Sequence, residues 1–326
     1  MARIILVLGA LLIPVFGLAY ATEWPGYSGM ALVEKNIFLA VNDLKSHKSG
    51  SRVTILKITA KNGIEHETVT VEGDNWNHPD GKPSDLEACT AIPGRPFEFL
   101  LSESGKYKGR FGRIFHIRLN KVAEGKWRLF VLKALQIYDH ELDDDQSTYK
   151  GDQVEGISCF RDVNNRLILV YAERGGKSKE GKKTARIIWG ELDLDKYKFE
   201  RHGTETLVTG TVLGGRDCSD LFLESENRSQ IVWSVATIDE GDIGPFKSVV
   251  YRAGDLTMDP GKNRYQFESE PEPLIYWRLD GLKVEALAAP AAVVVKSGFS
   301  IGTDDEDFGG IWRPLFELSS HQQGEK

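Results

Sequence analysis

Ser28-Gly29-Met30, Glu87-Ala88-Cys89, Glu155-Gly156-Ile157, Ser219-Asp220-Leu221 and Glu285-Ala286-Leu287 repeat one short phrase whose lead residue reads Ser, Glu, Glu, Ser, Glu. Each phrase opens a module. A turn follows it, then a hydrophobic strand ending in acid (Asn42-Asp43, Glu103, Glu173, Asp239-Glu240, Asp304-Asp305-Glu306), a Gly/Lys-rich loop and a further alternating strand. The steps between lead residues are 59, 68, 64 and 66 residues. A period of that kind signals a radial array of similar units rather than one layered core.

The segments between turns are short, rich in Val, Ile, Phe and Tyr, and bounded by Gly, Asn, Asp or Pro, which marks strands at 37–41, 53–58, 97–101, 114–119, 166–171 and 231–235. Helical periodicity is scarce; even 126–138 matches the phase of a fourth strand. Five units of about four antiparallel strands predict an all-β, five-bladed β-propeller, in which lateral packing buries what no single blade can bury. A six-bladed ring with one degenerate blade and a pair of sandwiches are the alternatives. Ring closure stays open at this stage: either blade five has three strands, or residues near Trp24 complete it.

The first 21 residues have the form of an export signal, with Arg3 as the charged start, an apolar run from Ile4 to Leu18, and Ala19-Tyr20-Ala21 as a small-x-small cleavage site. The apolar run is shorter than the ~18 residues a spanning helix needs, and Pro14 interrupts it. The expectation is a secreted or periplasmic protein whose residues 22–326 form a single propeller domain. Without Arg3, 40 basic residues face 48 acidic ones, a balance that argues against nucleic acid or an anionic membrane as partner. Cys89, Cys159 and Cys218 lie in the apolar stretches of module openings, with no CxxC and no histidine at ligand spacing, and read as buried unpaired thiols.

In a propeller the first strand of each blade lines the axis, and up-and-down connectivity puts the start of strand one and the end of strand two on the same face. The lead residues therefore form a ring at the axial mouth. Three Glu side chains about 5 Å apart would repel by roughly 3 kcal/mol per pair at an effective dielectric of about 20, which is large against a typical domain stability of about 5 to 15 kcal/mol. A cation or protonation must relieve this. Ser28, Glu87, Glu155, Ser219 and Glu285 make an all-oxygen set that suits calcium as cofactor; the plainer alternative is five polar strand starts facing a water-filled channel.

The order Ser, Glu, Glu, Ser, Glu resembles the soluble calcium-activated nucleotidase (apyrase) family, five-bladed propellers with an axial calcium held by such a ring. Ser84-Asp85-Leu86-Glu87 followed by 97–105 (FEFLLSESG), and Val154-Glu155-Gly156-Ile157 followed by 167–173 (LILVYAE), also resemble exported phytase-like (esterase-like) propeller domains. Where apyrases carry an Asp-Asp-Arg-Thr-Gly type loop, this chain has Asn42-Asp43-Leu44-Lys45-Ser46-His47. The metal ring therefore carries over better than nucleotide hydrolysis.

The loops after strand two are basic in blades one to three and acidic in blades four and five. A small anionic, phosphorylated ligand is the expected partner, held on the basic side by Lys45, Arg113 and Arg174, with Trp76 stacking beside it. Asp43, Glu103, Glu173 and Asp305 are the candidates for orienting water or substrate. The expectation is a calcium-dependent hydrolase of phosphate esters or anhydrides; the competing class is a non-catalytic propeller that binds a glycan, peptide or envelope partner. No nucleophile triad and no glycine-rich phosphate loop can be read from spacing.

Overall fold

The computed structural model describes residues 26–42, 44, 50–60, 63–72, 85–104, 112–122, 125–136, 154–178, 181–183, 185–207, 216–238 and 243–316. Blade one is a meander of β1 (Gly29–Glu34), β2 (Ile37–Val41), β3 (Val53–Ile58) and β4 (Ile64–Thr68). One residue later β5 (Thr70–Glu72) crosses to the next blade and pairs in parallel with its outermost strand. Blade two is β6 (Leu86–Ala91), β7 (Glu98–Glu103), β8 (Ile114–Lys121) and β9 (Trp127–Leu135). Blade three starts with β10 (Val154–Arg161) and β11 (Leu167–Glu173), throws up a hairpin of β12 (Gly176–Ser178) and β13 (Gly181–Lys183), and finishes with β14 (Arg186–Asp193) and β15 (Lys198–Thr206). Blade four is β16 (Arg216–Glu226), β17 (Ser229–Ile238), β18 (Lys247–Asp259) and β19 (Arg264–Asp280). Blade five has three described strands, β20 (Val284–Ala288), β21 (Ser297–Thr303) and β22 (Trp312–Phe316), with one short 3-10 turn at Glu306–Phe308.

The inner strands β1, β6, β10, β16 and β20 contact one another in that order, and β20 returns to β1, so the ring is closed with five blades. All five line one axial cavity of about 150 Å³. At the closure, Tyr27 and Met30 of blade one pack with Ala286, Ala288 and Trp312 of blade five, and the Tyr27 N–H donates to the Thr303 carbonyl at 2.9 Å. Residues 1–21, expected to be an export signal, and the residues around Trp24 lie outside the described residues.

Burial falls from axis to rim, and the residue types follow it. β7 and β20 are buried along their whole length because each is sandwiched between two neighbouring blades, whereas outer strands such as β4 and β15 alternate or face solvent. Near the axis the inner strands converge so closely that a side chain does not fit between them. A Cβ on Gly29 would lie 2.5 Å from Ala88 Cα, and one on Gly156 would lie 2.7 Å from the Leu221 nitrogen. This gives the second position of the repeated phrase its meaning. It reads Gly29, Ala88, Gly156 and Ala286 in four blades because the next inner strand passes directly against it.

Asp220 is the exception. Its side chain spans the junction of blades four and five, one carboxylate oxygen accepting the N–H of Leu221 at 2.7 Å and the other the N–H of Leu287 at 2.6 Å. Burial, reinforced by the charge of Glu285, lifts its pKa well above the ordinary aspartate value despite those two bonds. The three cysteines are buried and free. Burial pushes the Cys159 thiol up to about 12 and raises Cys89 and Cys218 as well.

Candidate functional site at the axial mouth

The three lead glutamates sit on β-bulges. The pairing register of inner strand with second strand shifts between Leu86 and Ala88, between Val154 and Gly156, and between Val284 and Ala286, so Glu87, Glu155 and Glu285 are each the extra residue. In blade four the irregularity is wider and runs from Arg216 to Asp220. A bulge re-aims the side chain it carries, and repetition in neighbouring blades turns a strand residue into part of a ring. Ser28, Glu155, Ser219 and Glu285 are all nearly inaccessible, and Glu87 is half-buried.

The charge of this ring is met by the chain's own cations. Arg216 Nη1 lies 3.5 Å from a Glu155 oxygen and hydrogen-bonds Glu285, so one guanidinium nitrogen bridges carboxylates from blades three and five. Lys283, 2 % exposed, places its ammonium 3.2 Å from Glu285 and 3.5 Å from Asp304 and hydrogen-bonds Glu306. Burial works against the lysine charge, yet its acidic neighbours, Glu285 first, raise its pKa above the ordinary range. Arg174 approaches Glu155 at 3.8 Å. At an effective dielectric of about 20, a cation about 3.5 Å away attracts a carboxylate by about 5 kcal/mol, more than the roughly 3 kcal/mol of repulsion expected between two glutamates.

A calcium cage does not fit this arrangement. Its six to eight oxygens must turn toward one point, whereas the oxygens of Glu155 and Glu285 are engaged by N–H donors. Among the described residues no three acidic, histidine or cysteine side chains converge as a metal site. The two serines differ from the glutamates: Ser28 Oγ and Ser219 Oγ are buried and have no hydrogen-bond partner among the described residues.

The remaining candidates separate into three groups. Glu103 and Arg113 are both buried and form a bidentate pair at 2.8 and 2.9 Å, so the residue expected to orient water and the one expected to hold an anion hold each other instead. Glu173 is likewise clasped by Arg186, with one bond of 2.7 Å. Asp305 is buried beside the ring, accepts the Lys283 N–H at 2.8 Å and the Thr303 hydroxyl at 2.7 Å, and has its pKa raised by burial. Asp43, Lys45 and Trp76 lie outside the described residues, as does the basic stretch 106–110. Sequence reading passed over Arg216 and Lys283. The available signal was a basic residue two or three positions before a lead residue, present only in blades four and five.

No protein-family model matches the chain, and no curated protein matches it in sequence. Solved structures match in fold. An exo-1,5-α-L-arabinanase from a bovine ruminal metagenomic library is 11% identical, with 93% of this chain and 96% of that one covered and a TM-score of 0.53. A thermostable family-43 glycoside hydrolase is 9% identical, with 90% and 91% covered and a TM-score of 0.51. An endo-1,4-β-xylanase from Bacteroides thetaiotaomicron is 12% identical, with 92% and 93% covered and a TM-score of 0.50. At such identities the likeness is one of fold, the five-bladed propeller.

Proposed function

We propose that this chain is an exported propeller hydrolase whose axial mouth takes a hydroxyl-rich, glycan-type ligand, with Glu155 and Glu285 as its working carboxylates. The observation that carries the reading is the pair of buried glutamates, aimed inward by bulges from two different blades and bridged by one Arg216 nitrogen. Glycoside hydrolysis uses a pair of carboxylates, one giving a proton to the leaving oxygen and the other activating water or stabilising positive charge at the sugar carbon. The reading requires the ligand to take the place of the Arg216 nitrogen that stands between Glu155 and Glu285. Arg216 hydrogen-bonds Glu285 and lies 3.5 Å from Glu155, so the two carboxylates are held unequally. The unpartnered hydroxyls of Ser28 and Ser219 can each donate to and accept from a sugar hydroxyl. The fold shared with an arabinanase, a xylanase and a family-43 glycoside hydrolase agrees with this reading but does not carry it.

The phosphate-ester reading rests on the basic loops of blades one to three. The described mouth points the other way, with Glu87, Glu155, Glu285, Asp304, Asp305 and Glu306 outnumbering Arg174, Arg216 and Lys283. A neutral polyol is the better partner for such a surface. Glu103 and Glu173 are each clasped by one arginine of their own blade, Arg113 and Arg186, and have no part in this reading.

The experiment is a panel of arabino-, xylo- and galacto-oligosaccharides beside nucleoside diphosphates and phytate, scored for reducing ends and released phosphate, with calorimetric binding in parallel. The expected result is reducing-end release that falls at least about 100-fold in E155Q and E285Q. Binding without turnover makes the protein a glycan-binding module. Release of phosphate, or neither binding nor turnover on any glycan, refutes the reading.

A further inference from the structure

We propose that the axial cation of this propeller is part of its own chain: the Arg216 guanidinium, with the Lys283 ammonium beside it, stands between the carboxylates of Glu155 and Glu285 in place of a divalent ion, and the fold needs no bound metal. The position of the two groups carries the inference. Arg216 Nη1 touches glutamates from two blades, 3.5 Å from Glu155 and hydrogen-bonded to Glu285, so it lies between them rather than beside one. Lys283 is buried to 2 % exposure and continues the network outward to Asp304 and Glu306. A calcium ion would need the same oxygens at about 2.3 to 2.6 Å, and it would then face a guanidinium and an ammonium at close range, a like-charge contact in a site of low dielectric. Either the basic groups or the ion can hold this ring, not both.

The fold explains how the arginine gets there. The bulges at Glu87, Glu155 and Glu285 shift the register by one residue, whereas blade four runs from the Arg216–Thr237 pair to the Asp220–Val235 pair with Asp217, Cys218 and Ser219 between. The wider irregularity brings a side chain from three positions before the lead residue to the axis. Blade five adds Lys283 from two positions before its own lead residue. Guanidinium N–H groups are fixed in direction and cannot be stripped by a chelator, so a ligand at this mouth meets a permanent donor rather than an exchangeable ion. This inference does not depend on which bond, if any, the protein hydrolyses.

The test uses metal content and melting, not activity, and so can fail independently of the hydrolase reading. The full chain is purified without added metal, analysed for bound elements, and melted with EDTA or with millimolar calcium chloride. The expected result is no stoichiometric metal and the same melting temperature in both. Arg216→Met, which opens the space between Glu155 and Glu285, is expected to melt lower in EDTA and to rise by about 4 °C in a hundredfold excess of calcium over its dissociation constant. Arg216→Lys keeps the charge and is expected to ignore both additions. Stoichiometric calcium in the native protein, or a fall in its melting temperature with EDTA, overturns the proposal even if Arg216→Met does not fold. An Arg216→Met protein that melts like the native one and ignores calcium overturns it too.

Discussion

Replacing Asp220 tests whether a single carboxyl staples blade four to blade five. The alanine variant is sterically safe, because the equivalent position already holds Ala in blades two and five and Gly in blades one and three. Its cost therefore comes from the N–H groups of Leu221 and Leu287, buried donors that lose acceptors now 2.7 and 2.6 Å away. Leaving a buried donor unsatisfied costs about 1 to 3 kcal/mol, and removing a desolvated carboxyl returns part of it, so the net loss is about 3 kcal/mol. With an unfolding entropy of about 2.1 cal/mol/K per residue over roughly 300 residues, that loss lowers the melting temperature by about 5 °C.

Asp220→Asn keeps one acceptor and removes the titration. Because the folded-state pKa of Asp220 is raised, its stabilising contribution is complete below the unfolded value of about 3.9 and is lost as pH climbs through the elevated one. The melting gap between native protein and Asp220→Asn is therefore expected to shrink as pH rises above about 4. Asp305, also raised, titrates in both proteins and cancels from the difference. Circular-dichroism melts from acid to neutral pH read both effects. An alanine variant melting within a degree of native, or a gap that widens with pH, refutes the reasoning.

The Glu103–Arg113 pair is expected to act on stability. Glu103→Gln or Arg113→Met alone should cost about 3 to 5 kcal/mol in chemical denaturation, with much of it recovered in the double variant, and a loss of ligand turnover or binding at unchanged stability would contradict the assignment. All three thiols should resist an aromatic disulfide reagent in the native protein and react together on unfolding, since each is buried with a raised pKa. Rapid native labelling of any one of them would show that its inner strand opens locally.

The sequence by itself determined the all-β repeat of five modules and where each one opens. Those are properties of a repeat, and the strand at 37–41 or 53–58 is set by its own alternation and flanking turns. It also placed the acidic strand-two ends on the mouth face, because up-and-down connectivity leaves no other choice. What it could not decide was how charge is shared there. Glu103 meets Arg113, ten residues on, while Glu285 meets Arg216, 69 residues back in another blade. Both distances in sequence carry the same weight to a reader of residues, yet one yields a local clasp and the other an axial bridge. Blade closure sets the second, since only a ring of five brings blades three, four and five to one point. The same convergence requires Gly156 to lack a side chain and lets Asp220 keep one. Mutual repulsion of the glutamates was a sound demand for positive charge, and tertiary structure brings Arg216 and Lys283 against two of them, Glu155 and Glu285.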